Sequence, residues 1–103
     1  MGKDILALAI AAANEATEPG TPAFELRNPG LLTEGTKVRE FNTIVDGLRA
    51  LMASIERLDK DASITVGVTR YCGRNVEKEL LVLDYLSRAT GKEVTRDITI
   101  GAI

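Results

Sequence analysis

The sequence predicts a mainly α fold: a small helical domain with a long loop or short β-hairpin after the first helix. Three observations carry this. Apolar residues recur at helical spacing over residues 3–16, 43–58 and 75–89. All three prolines, together with Gly20, Gly30 and Gly35, fall within residues 17–40, which gathers the turn chemistry in one place. A length of 103 residues suffices for one modest core, so residues 1–103 are expected to form one domain.

The first helix is expected over residues 3–16, with Ile5, Leu8, Ala9, Ala12 and Ala16 on one face and Leu6, Ile10 and Ala13 beside it. Its alanines permit close approach by another helix. Within residues 17–40, Phe24-Glu25-Leu26 and, just beyond, Val38-Arg39-Glu40-Phe41 are the segments able to pair as two short strands. An irregular stretch of this length in a small domain is more often a functional loop than a linker.

The second helix starts at Thr43, a capping-box-like residue with Asp46 three positions on, where the helix dipole favours an acid. Ile44, Leu48, Leu51 and Ile55 then follow on one face and are expected to be buried together, with Leu58 continuing the stripe. Gly47 inside this pattern costs roughly 1 kcal/mol against alanine. It is therefore expected where another backbone comes close.

Residues 63–71 admit two readings: Ile64, Val66 and Val68 alternate as in a strand, while Ile64, Val68 and Tyr71 fit i, i+4, i+7. The last helix opens at Asn75, a good N-cap, carries Val76, Leu80, Leu83, Leu86 and Ala89, and stops at Gly91. Leu81, Val82 and Tyr85 widen its apolar face, so it is expected to be the central, most buried helix. Residues 92–103 read as extended, and Ile98, Ile100 and Ile103 need a core or a partner to cover them.

Composition removes several kinds of chemistry. There is no histidine, so imidazole acid/base catalysis, Ser-His and Cys-His pairs and the usual zinc sites are excluded. Neither a metal nor a cofactor is expected. Cys72 has no partner for an internal disulfide and reads as a small buried hydrophobe. The first apolar run is too short to span a bilayer and lacks a signal-peptide layout, so no membrane partner is expected. Charge is nearly balanced, with 13 basic and 15 acidic residues and no basic stripe, which argues against nucleic acid. Residues 1–36 hold only Lys3 and Arg27 against five acids, a net of −3.

Glu15 is the first candidate among the carboxylates for an acid in glycan chemistry. It closes an apolar helix, where the negative end of the dipole and the neighbouring Glu18 disfavour a bare carboxylate, and a retained proton is what a general acid needs. A solvated helix-end glutamate is the more common outcome for such a residue. Glu25, between Phe24 and Leu26, is an alternative acid, although an outward-facing strand residue is the more common outcome there, and Phe24 and Phe41 read as core. Arg70 and Arg74 belong to a solvated turn or meet an acidic partner.

The order Ala9-Ile10-Ala11-Ala12, Glu15, Pro19-Gly20-Thr21-Pro22-Ala23, Arg27-Asn28-Pro29-Gly30, Phe41-Asn42-Thr43 and Gly47-Leu48-Arg49-Ala50-Leu51 resembles small goose-lysozyme-like or lytic-transglycosylase-like domains of tailed bacteriophages. The likeness runs over residues 9–91. It implies a helix for residues 64–71 ending in Arg70-Tyr71, and a final helix opened by Asn75. It further implies Glu15 as the catalytic acid and then base, Asn28, Pro29 and Gly30 as the cleft wall, and Tyr71 as the aromatic that braces the site. Similar lytic enzymes use one glutamate without a carboxylate nucleophile, unlike the usual two-acid scheme.

The departures fall around that cleft. Ala16 follows Glu15 where the pattern has Gly, Leu31 replaces an Asn after Pro-Gly, Tyr71-Cys72-Gly73 replaces an aromatic-Ala-Pro turn, and Leu80 replaces an aromatic. A core pattern kept while polar groups are lost points to a degenerate copy serving as a virion component of capsid, tail or baseplate, made in the host cytoplasm. Its partners would be other virion proteins or further copies of itself. The rival expectation is a peptidoglycan-cleaving enzyme acting through Glu15. Peptidoglycan is anionic, so the net of −3 over residues 1–36 favours the first.

Overall fold

The computed structural model describes residues 2–103. Helix α1 (Gly2–Ala13) is followed by the short α2 (Pro22–Glu25), a hairpin of β1 (Thr33–Glu34) and β2 (Lys37–Val38), then α3 (Ile44–Glu56), α4 (Ile64–Cys72), α5 (Val76–Thr90) and a closing 3-10 turn (Ile100–Ala102). The fold is mainly helical with a short hairpin after the first long helix, as the sequence predicts. No helix among the described residues is long and apolar enough to cross a membrane.

The centre of the molecule is α1 rather than α5. Leu6, Ala7, Ala9, Ile10 and Ala13 are all within 1% of complete burial, and α1 packs against α3, α4, α5 and the closing turn. Alanine makes this possible, because a side chain of one carbon lets helices approach from several sides. In α5 only Val82 and Leu86 are buried, whereas Val76, Leu80 and Leu81 are more than half exposed. The wide apolar face of α5 thus has a partner along one stripe only.

Helix α1 ends earlier than its apolar pattern. The Ala16 N–H donates to the Ala11 carbonyl and the Glu15 N–H to that of Ala12, both at 3.0 Å, while Glu15 takes a left-handed φ of 56°. This is the Schellman stop, with Glu15 in the position that usually holds glycine. Ala16, just beyond, is buried at 6% exposure.

Phe24-Glu25-Leu26 does not form a strand. Thr21 caps α2 by accepting the Phe24 N–H at 3.2 Å, and Pro22 occupies its first turn, where a missing N–H costs nothing. Phe24 is 38% exposed, so it is not core, while Phe41 is buried. The two expected strand segments still touch at one rung, Phe41 N–H to Leu26 O at 3.0 Å. The hairpin itself pairs Thr33 with Val38 and Glu34 with Lys37 around a Gly35-Thr36 turn, Gly35 supplying φ 63°.

Helix α3 follows its sequence signals. The Thr43 hydroxyl accepts the Asp46 N–H at 3.1 Å, and Leu51 and Ile55 are buried in the core shared with Leu6, Ile10, Ile64, Val68, Val82 and Leu86. Ile44 and Leu48 depart from the expectation: Ile44, on the first turn, is 36% exposed and Leu48 is only half-buried, so neither joins Leu51 and Ile55 in the buried core. Gly47 does sit under another backbone, since a Cβ there would collide with the Arg27 carbonyl and come within 2.8 Å of Pro29 Cδ.

Residues 64–72 are helical. Helix α5 is capped at Asn75, whose side chain accepts the Lys78 N–H at 3.0 Å, and stops at Gly91 with φ 70° and ψ 13°. The tail crosses back to the start of α4 through Ile64 N–H to Ile98 O (2.8 Å), Ile100 N–H to Ala62 O (2.9 Å) and Gly101 N–H to Lys60 O (2.9 Å). Ile98, Ile100 and Ile103 are half-buried against the chain's own core.

Candidate functional site

Two asparagines build the corner where α1, the Arg27-Asn28-Pro29-Gly30 segment and α4 meet. Asn14, 4% exposed, donates its amide to the carbonyls of Pro29 (2.9 Å) and Tyr71 (3.2 Å), and its oxygen accepts Lys78 Nζ at 2.9 Å. Asn28 is fully buried and serves the hairpin: its oxygen accepts the Leu32 N–H, and its amide donates to Leu32 O and Arg39 O, each at 2.9 Å. An amide side chain therefore replaces the last rung of the ladder, and every polar atom of Asn28 is used internally. Arg27 holds the same corner from outside, through Phe41 O at 2.6 Å and an exposed pair with Glu40 at 2.8 Å.

Beside this corner lies an open cleft of about 560 Å³. One wall is Gly30, Leu31, Leu32 and Thr33, with Arg39 from the outgoing limb of the hairpin. The floor is Ala50, Ala53, Ser54 and Arg57, one face of α3 and its C-cap, and the far side is Arg70 and Tyr71 of α4. Among the described residues three arginines and no acidic side chain line it. Among the described residues none of the three pairs with a carboxylate, and Arg39 instead stacks over the Phe41 ring, 4.6 Å from its centroid.

Of the residues singled out by sequence, Gly30 and Tyr71 line the cleft, while Asn28 and Pro29 stand behind its wall. Tyr71 is 3% exposed and its hydroxyl is 2.6 Å from Ser54 Oγ, so its polar group is engaged with α3. Glu15 is exposed and is not among the cleft-lining residues; its carbonyl accepts the Thr21 hydroxyl at 2.8 Å. Glu25 Oε1 accepts the Gly20 N–H at 3.0 Å on the exposed surface. Asn14, the residue before Glu15, is the one that touches both the Pro29 and the Tyr71 backbone.

Sequence reasoning missed Asn14, Ser54, Arg39 and Arg57. A usable signal existed for two of them: Ala50, Ala53, Ser54 and Arg57 are spaced i, i+3, i+4, i+7, a helical face with small residues ending in a cation. Cys72 is buried, and burial pushes its thiol up to about 11 against the pull of the nearby Lys78 ammonium. It stays protonated at neutral pH and is no nucleophile. No cluster of three or more cysteine, aspartate or glutamate side chains suited to a metal ion exists among the described residues. No family model matches the chain, and no curated protein or solved structure matches it significantly.

Proposed function

We propose that this chain is a structural component of a tailed-bacteriophage virion, in the capsid, tail or baseplate, built on a lysozyme-like scaffold that does not cleave glycan. The resemblance in residue order supports the virion setting. The carrying observation for the absence of cleavage is the cleft beside the Arg27-Asn28-Pro29-Gly30 segment, which holds three arginines and no acid while Glu15 stays outside. A general acid must come within roughly 3 Å of the oxygen it protonates.

The deciding experiment is lysis of purified cell walls, followed by turbidity, with wild type and Glu15→Gln. Both are expected to be inert. Lysis by wild type that disappears in Glu15→Gln, with the fold unchanged, overturns the proposal.

One observation favours the second reading, a peptidoglycan-cleaving enzyme with Glu15 as acid and base. Glu15, Arg27 and Leu31 all adopt left-handed φ, of 56°, 51° and 50°. Backbone strain of this kind tends to gather at functional sites. The charge argument also changes, because the −3 is a sum over residues 1–36, whereas the cleft is cationic through Arg39, Arg57 and Arg70, all outside that stretch.

A further inference from the structure

We propose that the arginine-lined cleft is a receptor for an extended acidic segment of a partner protein, which adds as a third strand beside β1 and places its carboxylates on Arg57 and Arg70. This rests on the non-cleaving reading of the same cleft.

The backbone supplies the first half of the argument. In an antiparallel ladder hydrogen-bonded pairs alternate with non-bonded ones. Leu32 accepts the Arg39 N–H at 2.9 Å, so the next pair, Thr33 with Val38, is a non-bonded one. The Thr33 N–H and C=O therefore point away from β2. Residues 30–33 of the incoming limb line the cleft, against Arg39 alone of the outgoing limb, so it is the free edge of β1 that borders it. A donor and an acceptor side by side on a free edge are what an incoming peptide backbone pairs with.

The side chains supply the second half. Arg57 and Arg70 come from separate helices, each offering a fork of N–H donors that meets no side-chain acceptor among the described residues, suited to a carboxylate. Ala50 and Ala53, also in the lining, have side chains of one carbon and take little of the space. An extended guest turns every second side chain to the same face, roughly 7 Å apart, which delivers acids to that face in a row. A phosphate group fits less well: the C-terminal ends of α3 and α4, where Arg57 and Arg70 stand, oppose any anion, and they oppose the nearly doubled charge of a phosphate more than the single charge of a carboxylate. Phosphate would also leave the Thr33 carbonyl without a donor.

The test is fluorescence anisotropy with a labelled decapeptide of alternating glutamate and valine, its glutamine-valine counterpart, and unlabelled tripolyphosphate as competitor. Saturable binding of the acidic peptide is expected, weakened about tenfold or more for the glutamine peptide and for the protein variant Arg57→Gln/Arg70→Gln. Arg49→Gln/Arg74→Gln, outside the cleft, should bind as wild type. The Thr33 amide should shift in 1H–15N spectra of the complex. Thermal melts of both double variants check that the fold is kept, and Arg57→Lys/Arg70→Lys retains charge without the fork and should bind at intermediate strength.

No saturable binding, equal binding of the two peptides, indifference to the cleft variant, or displacement by tripolyphosphate at lower concentration than by unlabelled peptide would each overturn the inference. The two readings fail separately. Wall lysis overturns the scaffold reading whatever the peptide does, and absent peptide binding without lysis overturns only the docking.

Discussion

Helices α1 and α5 both stop on a left-handed residue, yet their two ends are built differently. Helix α5 uses Gly91, whose N–H meets the Ser87 carbonyl at 3.0 Å, and the chain leaves through solvent. Helix α1 uses Glu15, and it and its neighbour are tied to four residues elsewhere in the chain: Asn14 to Pro29, Tyr71 and Lys78, and Glu15 O to Thr21. Glycine takes that conformation without a Cβ penalty; an L side chain there costs roughly 1–2 kcal/mol. A helix end that only has to stop can use the cheap residue. The end that organises a corner holds its geometry through tertiary hydrogen bonds and so tolerates the expensive one.

Three substitutions test this contrast, in order of effect. Asn14→Ala removes a buried amide, leaving two carbonyls and the Lys78 ammonium without their partner. It should lower unfolding free energy by about 2–4 kcal/mol in urea titrations. A loss below about 0.5 kcal/mol would mean that the corner is not held by these bonds.

Gly91→Ala forces a Cβ into the left-handed region at an exposed site with open space around it. A loss of about 1 kcal/mol is expected, with no change at the cleft. Glu15→Gly should act in the opposite direction and raise stability by about 0.5 kcal/mol, the relief of the left-handed penalty being partly offset by the greater freedom of glycine in the unfolded chain. Destabilisation by Glu15→Gly would show that the side chain makes a contact that its exposure conceals.

These ends also mark how far the sequence could be read. Thr43, Asn75 and Gly91 carry local chemistry, a side chain or a bare Cα acting within three or four residues, and each performs as its type and position predict. Gly47 belongs with them, because an expensive residue in a strong helix pattern implies a close neighbour even when that neighbour is unknown. The stop at Glu15 gave no such sign, since neither the glutamate nor Ala16 is a stop residue by type.

Asn14 and Asn28 were equally silent in different ways. The bonds of Asn14 reach 15, 57 and 64 residues along the chain, beyond any local pattern. Asn28 was assigned to a cleft wall by resemblance and spends its amide inside the hairpin. The cationic cleft could not be read from charge counts, because Arg39, Arg57 and Arg70 come from three elements and the acids near them in sequence point elsewhere.

The central position of α1 has a consequence for how the protein is made. Its most extensive contacts are with α5, which begins at Val76, more than sixty residues after α1 ends. Ribosomes add on the order of 5–20 residues per second. The alanine- and leucine-rich first helix therefore emerges several seconds before the surface that covers it, and no shorter nascent chain can complete the core. Folding waits for the C-terminal third, and contacts this distant in sequence slow the search for them. Until then the sticky segment must be shielded by other means, or by the haste of its own translation.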